Sequence, residues 1–377
     1  MDAGGHLLVA RELARRPPGA RIRVTGRDPH LAVHLRAWAR ATGHRVDGDV
    51  IVRGDAADRR MAGAERAGAP DDVVGHPLAT WGLAARGALV EAGGLPLAIA
   101  DLDQRSGVWT DLAPKLYAQA AAGQWDPATA VDWSDDVRLP DDVEAAVVQV
   151  MTYLIENEQA ALMVPARFVS RVHPHFREVV QFLATQIADE ARHVEVFTRR
   201  ATRGGAPLGV SGAGGRASLQ TLVDEPDWAT ASFLLSVLGE GTFLSLLSFL
   251  ERCAPDPMTR QIARLTLQDE ARHVAFAIGH LSEHLGADPA LRDRLRAAVE
   301  RRHDALAATS GLAPAVHDAL VVLAAGSWEP AAIASGWKSV QALQAEMDEG
   351  RQRRMVRLGF GHREAAELSA LHTRNFM

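Results

Sequence analysis

The pentapeptide Asp-Glu-Ala-Arg-His occurs twice in this chain, at residues 189–193 and 269–273. Each copy lies in a run that predicts a helix. In a helix, a glutamate and a histidine three residues apart lie on one face about one turn apart, so both side chains can reach one metal ion. The two copies therefore predict two half-sites for metal, formed by Glu190 with His193 and by Glu270 with His273.

Each half of the chain also has a glutamate in an apolar segment upstream of its pentapeptide. Residues 229–250 predict a buried helix that contains Glu240, and a lone buried carboxylate is costly unless something binds it. The first half offers Glu156 and Glu158 within residues 148–169. Aligning the halves on their pentapeptides places Glu158 beside Glu240 and Glu156 beside an apolar residue, so we choose Glu158.

The predicted ligands are four carboxylates and two imidazoles. They suit two iron ions, two manganese ions or a mixed manganese–iron pair better than zinc, whose structural sites prefer thiolates and four ligands. Four carboxylates would balance two divalent ions, so we expect the site to assemble only with metal. The six residues are Glu158, Glu190, His193, Glu240, Glu270 and His273.

At these residues the chain resembles the ferritin-like di-iron carboxylate proteins, which include the hydroxylase subunits of bacterial multicomponent monooxygenases and the small subunits of ribonucleotide reductase. The resemblance spans roughly residues 109–284 and includes Gln-Trp-Asp-Pro at residues 124–127, similar to the segment before the first ligand helix. It implies a mainly α fold, a ferritin-like four-helix bundle with extra helices.

The resemblance also implies residues that support the ligands. In that family the aspartate before each ligand glutamate orients the histidine of the other half-site, and the arginine holds the aspartates. Carried over, Asp189 would bind His273 and Asp269 would bind His193, which gives each imidazole an acceptor for its second N–H group. The supporting residues would be Asp189, Arg192, Asp269 and Arg272.

Two positions depart from the family pattern. The monooxygenases have a threonine four residues after the ligand equivalent to Glu240, whereas this chain has Leu244, and Thr242 is predicted to point elsewhere. Leu162 stands where the small subunits of ribonucleotide reductase carry a radical-bearing tyrosine. A stable tyrosyl radical is therefore not expected.

Glycines and further histidines lie near the predicted site. Gly239 and Gly241 indicate either space beside the metals and a local helix distortion, or close helix packing. His280 and His284 form a helical stripe with His273; a proton relay or third metal site is one interpretation, and we favour a partly exposed face. Two more histidines are predicted to lie at the surface, His173 and His175.

Residues 1–75 predict a small α+β domain of βαβ type, with helices at 6–16 and 31–42 and strands at 21–25 and 50–53. This order resembles the TusA-like sulfur-carrier fold. The reactive cysteine expected before the first helix is missing, since residues 2–6 read Asp-Ala-Gly-Gly-His. We predict a degenerate module for docking or dimerisation, with independent ligand binding as the alternative.

The rest of the chain is predicted as two further parts. Residues 76–140 form a connecting helical segment with a helix at 79–92, and residues 141–377 form the bundle. Helices at 288–326 and 330–359 would cover it. The single cysteine, Cys253, rules out an intrachain disulfide and a four-cysteine iron site.

Composition narrows the class of protein. The chain has 377 residues, 47% of them hydrophobic, which is enough for a large core, and its formal charge of −6 gives no reason to expect nucleic acid as a partner. We find no signal-like opening segment and expect no membrane span, because Glu240 interrupts the most apolar run. We expect a cytoplasmic homodimer.

Together these features predict a di-iron oxygenase or oxidase that uses dioxygen to hydroxylate, desaturate or N-oxygenate a small organic substrate. Electrons would come from a separate reductase or ferredoxin, or from the substrate. Two alternatives remain: a ferroxidase or iron-storage protein, and a protein whose di-metal site has a structural or regulatory role.

Overall fold

The computed structural model of the chain describes residues 4–134, 137–205, 207–307 and 314–372. Its internal contacts divide these residues into two compact units. The first unit contains residues 4–72 and 78–97, and the second contains residues 73–77 and the described residues from 98 onwards. Residues 78–97 therefore pack with the N-terminal unit, although we had assigned them to the connecting segment.

The first unit is built around a three-stranded sheet. Its strands are β1 (Arg21–Arg23), β2 (Arg45–Asp47) and β3 (Val50–Val52), its helices are α1 (Gly5–Ala14), α2 (Leu31–Ala41) and α3 (Ala56–Arg60), and a second, two-stranded sheet pairs β4 (Glu65–Arg66) with β5 (Leu89–Val90). The central strand β3 is antiparallel to both neighbours, with Ile51 opposite Ile22 and Val46. The apolar residue of each alternating strand packs on Leu13 and Leu35.

The predicted order of strand, helix and strand is present, but the prediction lacked the strand β2. Since β1 and β2 both run antiparallel to β3, they run in the same direction, with α2 between them in the chain and β3 between them in the sheet. The predicted helix at 79–92 is wrong. That segment forms a 3₁₀ turn (Ala79–Trp81) and β5, because Gly82 and Gly87 adopt positive φ values that interrupt a helix. The resemblance to the sulfur-carrier fold stays a prediction.

The second unit is helical in almost all of its regular structure. Two short helices come first, α4 (Arg105–Val108) and α5 (Ala113–Ala122). The long helices α6 (Asp141–Val169) and α7 (Arg177–Ala201) follow, then α8 (Ala213–Val223), α9 (Trp228–Ser232), a π-helical segment (Phe233–Glu240), α10 (Gly241–Cys253) and α11 (Pro257–Ala287). The last helices are α12 (Leu291–Leu306), α13 (Pro314–Ala325), α14 (Pro330–Arg357) and α15 (His362–His372).

Two long helical hairpins form the central bundle. A turn that includes residues 174–176 joins α6 to α7, and a shorter turn joins α10 to α11. Asp256 caps α11 by accepting a hydrogen bond from the Thr259 amide (2.8 Å), and Pro257 occupies the first helical position, where its missing N–H is not needed. Each hairpin brings its two helices antiparallel to the same depth. The predicted ferritin-like four-helix fold is confirmed.

The helix that carries Glu240 is wound as a π-helix over the eight residues that end at Glu240. Residues 233–240 form a π-helix, and Gly241 begins regular α-helix again. Of the two interpretations of Gly239 and Gly241, the local helix distortion is therefore present. A π-helical turn adds residues per turn, so it changes which side chains face the bundle centre at Glu240.

The segment Trp228–Cys253 is long and apolar enough to cross a membrane. However, 83% of its most apolar window is buried inside the protein, as expected of a core helix.

Candidate metal centre

Four helical segments bring the six predicted ligand side chains to one buried centre. α6 supplies one glutamate, the π-helical segment supplies another, and α7 and α11 each supply a glutamate and a histidine. Each of the six residues is at most 5% exposed. Glu156 is more exposed and belongs to neither metal-binding group. The six residues are Glu158, Glu190, His193, Glu240, Glu270 and His273.

Their ligand atoms form two groups, and within each group all atoms lie within 4.8 Å of one another. One group adds Glu158 and His193 to a shared pair of glutamates, and the other adds Glu240 and His273. The shared residues are Glu190 and Glu270. Because each shared carboxylate has two oxygens, this pair would be able to help hold a metal ion in either group.

Both histidines direct Nδ1 into the centre. The Nδ1 of His193 lies 3.3 Å from oxygens of Glu158, Glu190 and Glu270. The Nδ1 of His273 lies 3.0 Å from Glu190 Oε1 and 3.5 Å from Glu270 Oε2. The second nitrogen of each ring points outwards, which leaves Nδ1 as the atom that can bind metal.

The outward nitrogens bond to aspartates of the opposite half-site. His193 Nε2 lies 3.1 Å from Asp269 Oδ2, and His273 Nε2 lies 3.3 Å from Asp189 Oδ2. This crossed pattern is the one implied by the family resemblance. The aspartate acceptors hold the proton on Nε2, so Nδ1 is the nitrogen that would give up its proton to bind metal.

The two arginines hold this pair of aspartates. Arg192 contacts Asp189 of its own helix and lies 3.3 Å from Asp269 Oδ2. Arg272 contacts Asp269 and lies 3.5 Å from Asp189 Oδ2. Each guanidinium therefore spans both half-sites, so the two copies of the pentapeptide form one network.

Three contacts escaped the sequence analysis. Gln124 donates to Asp189 Oδ1 at 2.9 Å, and Trp125 donates from its indole nitrogen to Asp269 Oδ2 at 2.8 Å. Gln186 donates to Glu240 Oε1 at 3.2 Å. The similarity of residues 124–127 to a family segment was the signal for the first two, but sequence alone did not show which atoms they reach.

Burial and mutual repulsion dominate the electrostatics of the centre. Burial raises the pKa of Glu158 and Glu240 well above the usual value, and the nearby charges of Glu190 and Glu270 raise it further. Burial lowers the pKa of the two ligand histidines, but the surrounding carboxylates outweigh it and raise the pKa well above the ordinary value. The centre therefore favours added positive charge, which metal ions would supply.

The donor set fits two divalent metal ions. Arg192 and Arg272 balance the two aspartates, which leaves the four negative charges of the ligand glutamates, equal to the charge of two divalent cations. Several buried oxygen and nitrogen atoms of the centre that could bind a metal ion form no hydrogen bond within the described residues. These atoms are Glu190 Oε1, Glu240 Oε2, both carboxylate oxygens of Glu270, and His273 Nδ1. Metal coordination would satisfy them.

A small cavity adjoins the centre on the side of Glu158, Glu240 and Glu270. About 10 Å³ of it is open to a water-sized sphere, roughly the space that one water molecule needs. Its other walls are mostly apolar: Ala161, Leu219, Leu222, Leu235, Gly239 and Phe243, with Asn157 as a further polar residue. A diatomic gas fits such a space, and Gly239 contributes to it by having no side chain.

The residues that depart from the family pattern lie away from this cavity. Leu244 and Leu162 are partly buried and are not among its lining residues. Thr242 donates to the Leu238 carbonyl at 2.6 Å and accepts from Arg351 at 3.4 Å. Thr242 therefore points away from the centre, as predicted.

The expectation for the other histidines is wrong at three positions. His173 and His175 are buried, and the His175 ring accepts a hydrogen bond from the Val74 amide at 3.1 Å. His280 is fully buried, stacks on Trp228 and lies 2.7 Å from Ser232 Oγ. Polar partners and aromatic neighbours offset the free-energy cost of burying these rings. The spacing of His280 in the helical stripe did not reveal these neighbours.

The remaining stripe residue, His284, is half-buried. Within the described residues, neither His280 nor His284 belongs to a group that could hold a metal ion.

No family model matches the chain, and no curated protein matches it. Solved structures similar to it include an R2-like ligand-binding oxidase with an anaerobically reconstituted Mn/Fe cofactor, at 20% identity, covering 66% of this chain and 94% of that one, with a TM-score of 0.48. A second R2-like ligand-binding oxidase, from Sulfolobus acidocaldarius, has 16% identity, coverage of 64% and 92%, and a TM-score of 0.45.

A third similar structure is a protein with aldehyde deformylating oxidase activity from Synechococcus. It has 17% identity, covers 61% of this chain and 96% of that one, and has a TM-score of 0.44. The fold and centre described above rest on the contacts of this chain itself.

Proposed function

We propose that the protein is a di-metal oxidase or oxygenase that binds two iron ions and uses dioxygen to oxidise a small organic substrate. The observation that carries the proposal is a buried centre of two Glu-x-x-His half-sites that share Glu190 and Glu270 and open onto an apolar cavity. A manganese pair or a mixed manganese–iron pair suits the same donors. The first of the two R2-like structures is named with a Mn/Fe cofactor.

The residues of the chain have separable roles in this function. Glu190 and Glu270, which belong to both ligand groups, would help to hold both ions, and Glu158 and Glu240 would each help to hold one of them beside the cavity. Asp189 and Asp269 keep the ligand histidines oriented. When bound, two redox-active ions would supply electrons for the reduction of dioxygen.

The cavity separates this proposal from its alternatives. A site that serves only folding does not need open space beside its ligands, and a tightly packed bundle has few voids. Here the space lies against three of the four ligand carboxylates and has apolar walls. That placement supports the admission of dioxygen to the centre. A ferroxidase would use the same ligands and remains the second candidate.

The proposal is tested by anaerobic addition of ferrous ion, followed by rapid mixing with dioxygen. We expect about two irons per chain, with oxygen uptake and a transient visible absorption band. Tight binding of two ions with no oxygen uptake, by either the iron-loaded or the manganese–iron-loaded protein, would contradict an oxidase and favour a structural role. Iron loading far above two per chain would favour iron storage.

Substitutions distinguish residues that bind metal from nearby residues that do not. Glu190→Ala and His273→Ala should abolish both metal loading and oxygen uptake, because each removes a donor at the centre. Glu195→Ala is the matched control, since Glu195 lies on the same helix α7 and is exposed. A Glu190→Ala variant that retains two irons would contradict the proposed ligand set.

A further inference from the structure

The two half-sites have identical pentapeptides but different residues one turn earlier on the same helices. Four residues before Glu190, α7 carries Gln186. Four residues before Glu270, α11 carries Thr266. Residues four apart lie on the same face of a helix, so both positions lie on the face that carries the ligands, and both side chains are buried. The chain therefore contains its own comparison between two positions that are equivalent in the repeat.

Gln186 reaches a ligand of another helical segment, whereas Thr266 does not. Gln186 Nε2 donates to Glu240 Oε1 at 3.2 Å. The Thr266 hydroxyl has no hydrogen-bond partner within the described residues. The hydrogen bond that joins α7 to Glu240 therefore has no counterpart between α11 and Glu158.

A second polar side chain also distinguishes the two upstream glutamates. Ser236 lies four residues before Glu240 and is buried. Burial has the largest effect on the pKa of Glu240 and raises it, while a hydrogen bond from Ser236 acts in the opposite direction. The residue four positions before Glu158 is Leu154, which is buried and has no polar group to donate. Glu240 therefore has two neutral donors, and the equivalent positions give Glu158 none.

In the described part of the chain, the polar partners of Glu158 are other candidate ligands. Its Oε2 lies 3.3 Å from His193 Nδ1, and its carboxyl group also interacts with Glu190. Because Nδ1 is the nitrogen that would bind metal, the contact with His193 cannot persist once that ring holds an ion. Gln186 is not a candidate ligand, so its hydrogen bond to Glu240 can persist. Glu240 is thus held by groups outside the ligand set, and Glu158 is not.

We propose that Gln186 is a positioning residue that makes the two halves of the centre unequal. It holds Glu240 in place before metal arrives, so the ligand group that contains Glu240 takes up the first metal ion, and Glu158 adjusts when the second ion binds. A ligand that is already in place loses less conformational freedom on binding. The inference rests on the proposed di-metal function and deepens it by giving the order in which the two ligand groups fill.

The test is titration of the metal-free full chain with cobalt(II), in the presence of a competing chelator and with the visible spectrum recorded after each addition. Because the two groups share Glu190 and Glu270, a second ion would bind more weakly even at equivalent groups, so variants decide the question. Gln186→Leu keeps an elongated side chain but removes the donor. We expect it to weaken binding of the first cobalt ion about 10- to 100-fold and to change that ion's spectrum.

Thr266→Val is the matched control, because it removes a hydroxyl without a hydrogen-bond partner at the equivalent position of α11. It should leave both cobalt affinities and both spectra as in the parent. Ser236→Ala is a smaller change, made in case Gln186→Leu fails to fold, and it should weaken the first ion about five-fold. Parental affinity for the first ion in folded Gln186→Leu, or in Ser236→Ala if that protein does not fold, overturns the proposal.

Two ligand variants identify the group that fills first. Glu158→Gln should retain the tighter cobalt ion with its parental spectrum, and Glu240→Gln should lose that ion. The reverse result, in which Glu158→Gln loses the tighter ion and Glu240→Gln keeps it, overturns the proposed order.

The cobalt readout does not depend on turnover. If the parent binds two cobalt ions and consumes oxygen when loaded with iron, but Gln186→Leu binds cobalt as the parent does, the order of filling alone is refuted. If the groups fill in the expected order through Gln186 but the iron-loaded protein does not consume oxygen, the oxidase function is refuted and the role of Gln186 stands. A parent protein that binds no cobalt contradicts both.

Discussion

Asp189 of the first pentapeptide accepts a hydrogen bond from His273 of the second, with 3.3 Å between Oδ2 and Nε2. Asp269 and His193 form the reciprocal bond. Each half-site is therefore oriented by an aspartate of the other, so neither copy of the motif builds a complete metal-binding half on its own. The second copy of the motif therefore supplies an orienting aspartate as well as candidate metal ligands.

This relationship predicts the effect of Asp189→Asn. The amide keeps the shape of the carboxylate but removes its charge and can present a donor to His273. We expect metal affinity to fall about 10- to 100-fold, measured by competition with a chromogenic chelator. Glu195→Gln, an exposed change on the same helix, should leave affinity unchanged. An Asp189→Asn protein with parental affinity would show that the orienting bond is dispensable.

Removal of metal should lower stability. The centre buries four glutamates, and four of their eight carboxylate oxygens form no hydrogen bond within the described residues, so we expect metal to bind the folded state preferentially. At a free metal concentration about 1,000 times the Kd, binding adds about 4 kcal/mol to the free energy of unfolding. Urea denaturation with and without chelator measures this difference. Equal denaturation midpoints would contradict coupling between metal binding and folding.

Arg200→Met should destabilise the bundle. Arg200 joins three elements: it donates to Glu144 on α6 at 2.6 Å, to Asp256 at 3.0 Å and to Thr259 on α11 at 2.9 Å. Loss of one partner of a buried ion pair costs about 3–5 kcal/mol. Urea denaturation measures the loss, and Arg177→Met, at an exposed position of α7, should cost less than about 1 kcal/mol.

The two glycines beside Glu240 should respond oppositely to alanine. A Cβ at Gly239 would meet only ordinary contacts, whereas a Cβ at Gly241 would lie 2.3 Å from Arg354 Nε. Gly239→Ala should therefore be neutral or stabilise by up to about 1 kcal/mol through helix propensity. Gly241→Ala should destabilise by about 1–3 kcal/mol, as overpacking does. Equal free energies of unfolding for the two variants would contradict this difference.

His280 should make stability depend on pH. Burial, with a smaller contribution from His284, lowers the pKa of His280 to about 3, below its value in the unfolded chain. The unfolded state therefore binds a proton first, and stability falls as pH drops from about 6.5 towards 3. Between pH 6 and 5, His280→Gln should lose about 1 kcal/mol less than the parent in urea denaturation. An unchanged slope would refute this.

Much of the metal centre could be predicted from local pattern. The spacing of Glu190 and His193 places them on one face of a helix. The apolar run around Glu240 predicts that its carboxylate is buried. Alignment of the two halves also selected Glu158 over Glu156, and the structure places Glu158 in the centre. These inferences could be made because helical periodicity is a property of neighbouring residues.

Other features depend on contacts between residues far apart in sequence. Nothing in the local sequence of Trp125 shows that its indole reaches Asp269, and the stripe that includes His280 looks the same whether it faces water or Trp228. The predicted helix at 79–92 is also wrong, since Gly82 and Gly87 adopt positive φ values and residues 89–90 pair with β4, a strand earlier in the chain. Propensity is a weak guide where tertiary packing decides.

The sequence by itself determined the ligand types, their spacing on the helices and the mainly helical fold, because these follow from the geometry of a single helix. Only the tertiary structure decided which carboxylates are shared by the two ligand groups, where the cavity opens, and that the Trp125 indole reaches Asp269. The physical reason is that charge and burial depend on what packs against a side chain, and helices distant in sequence supply those neighbours.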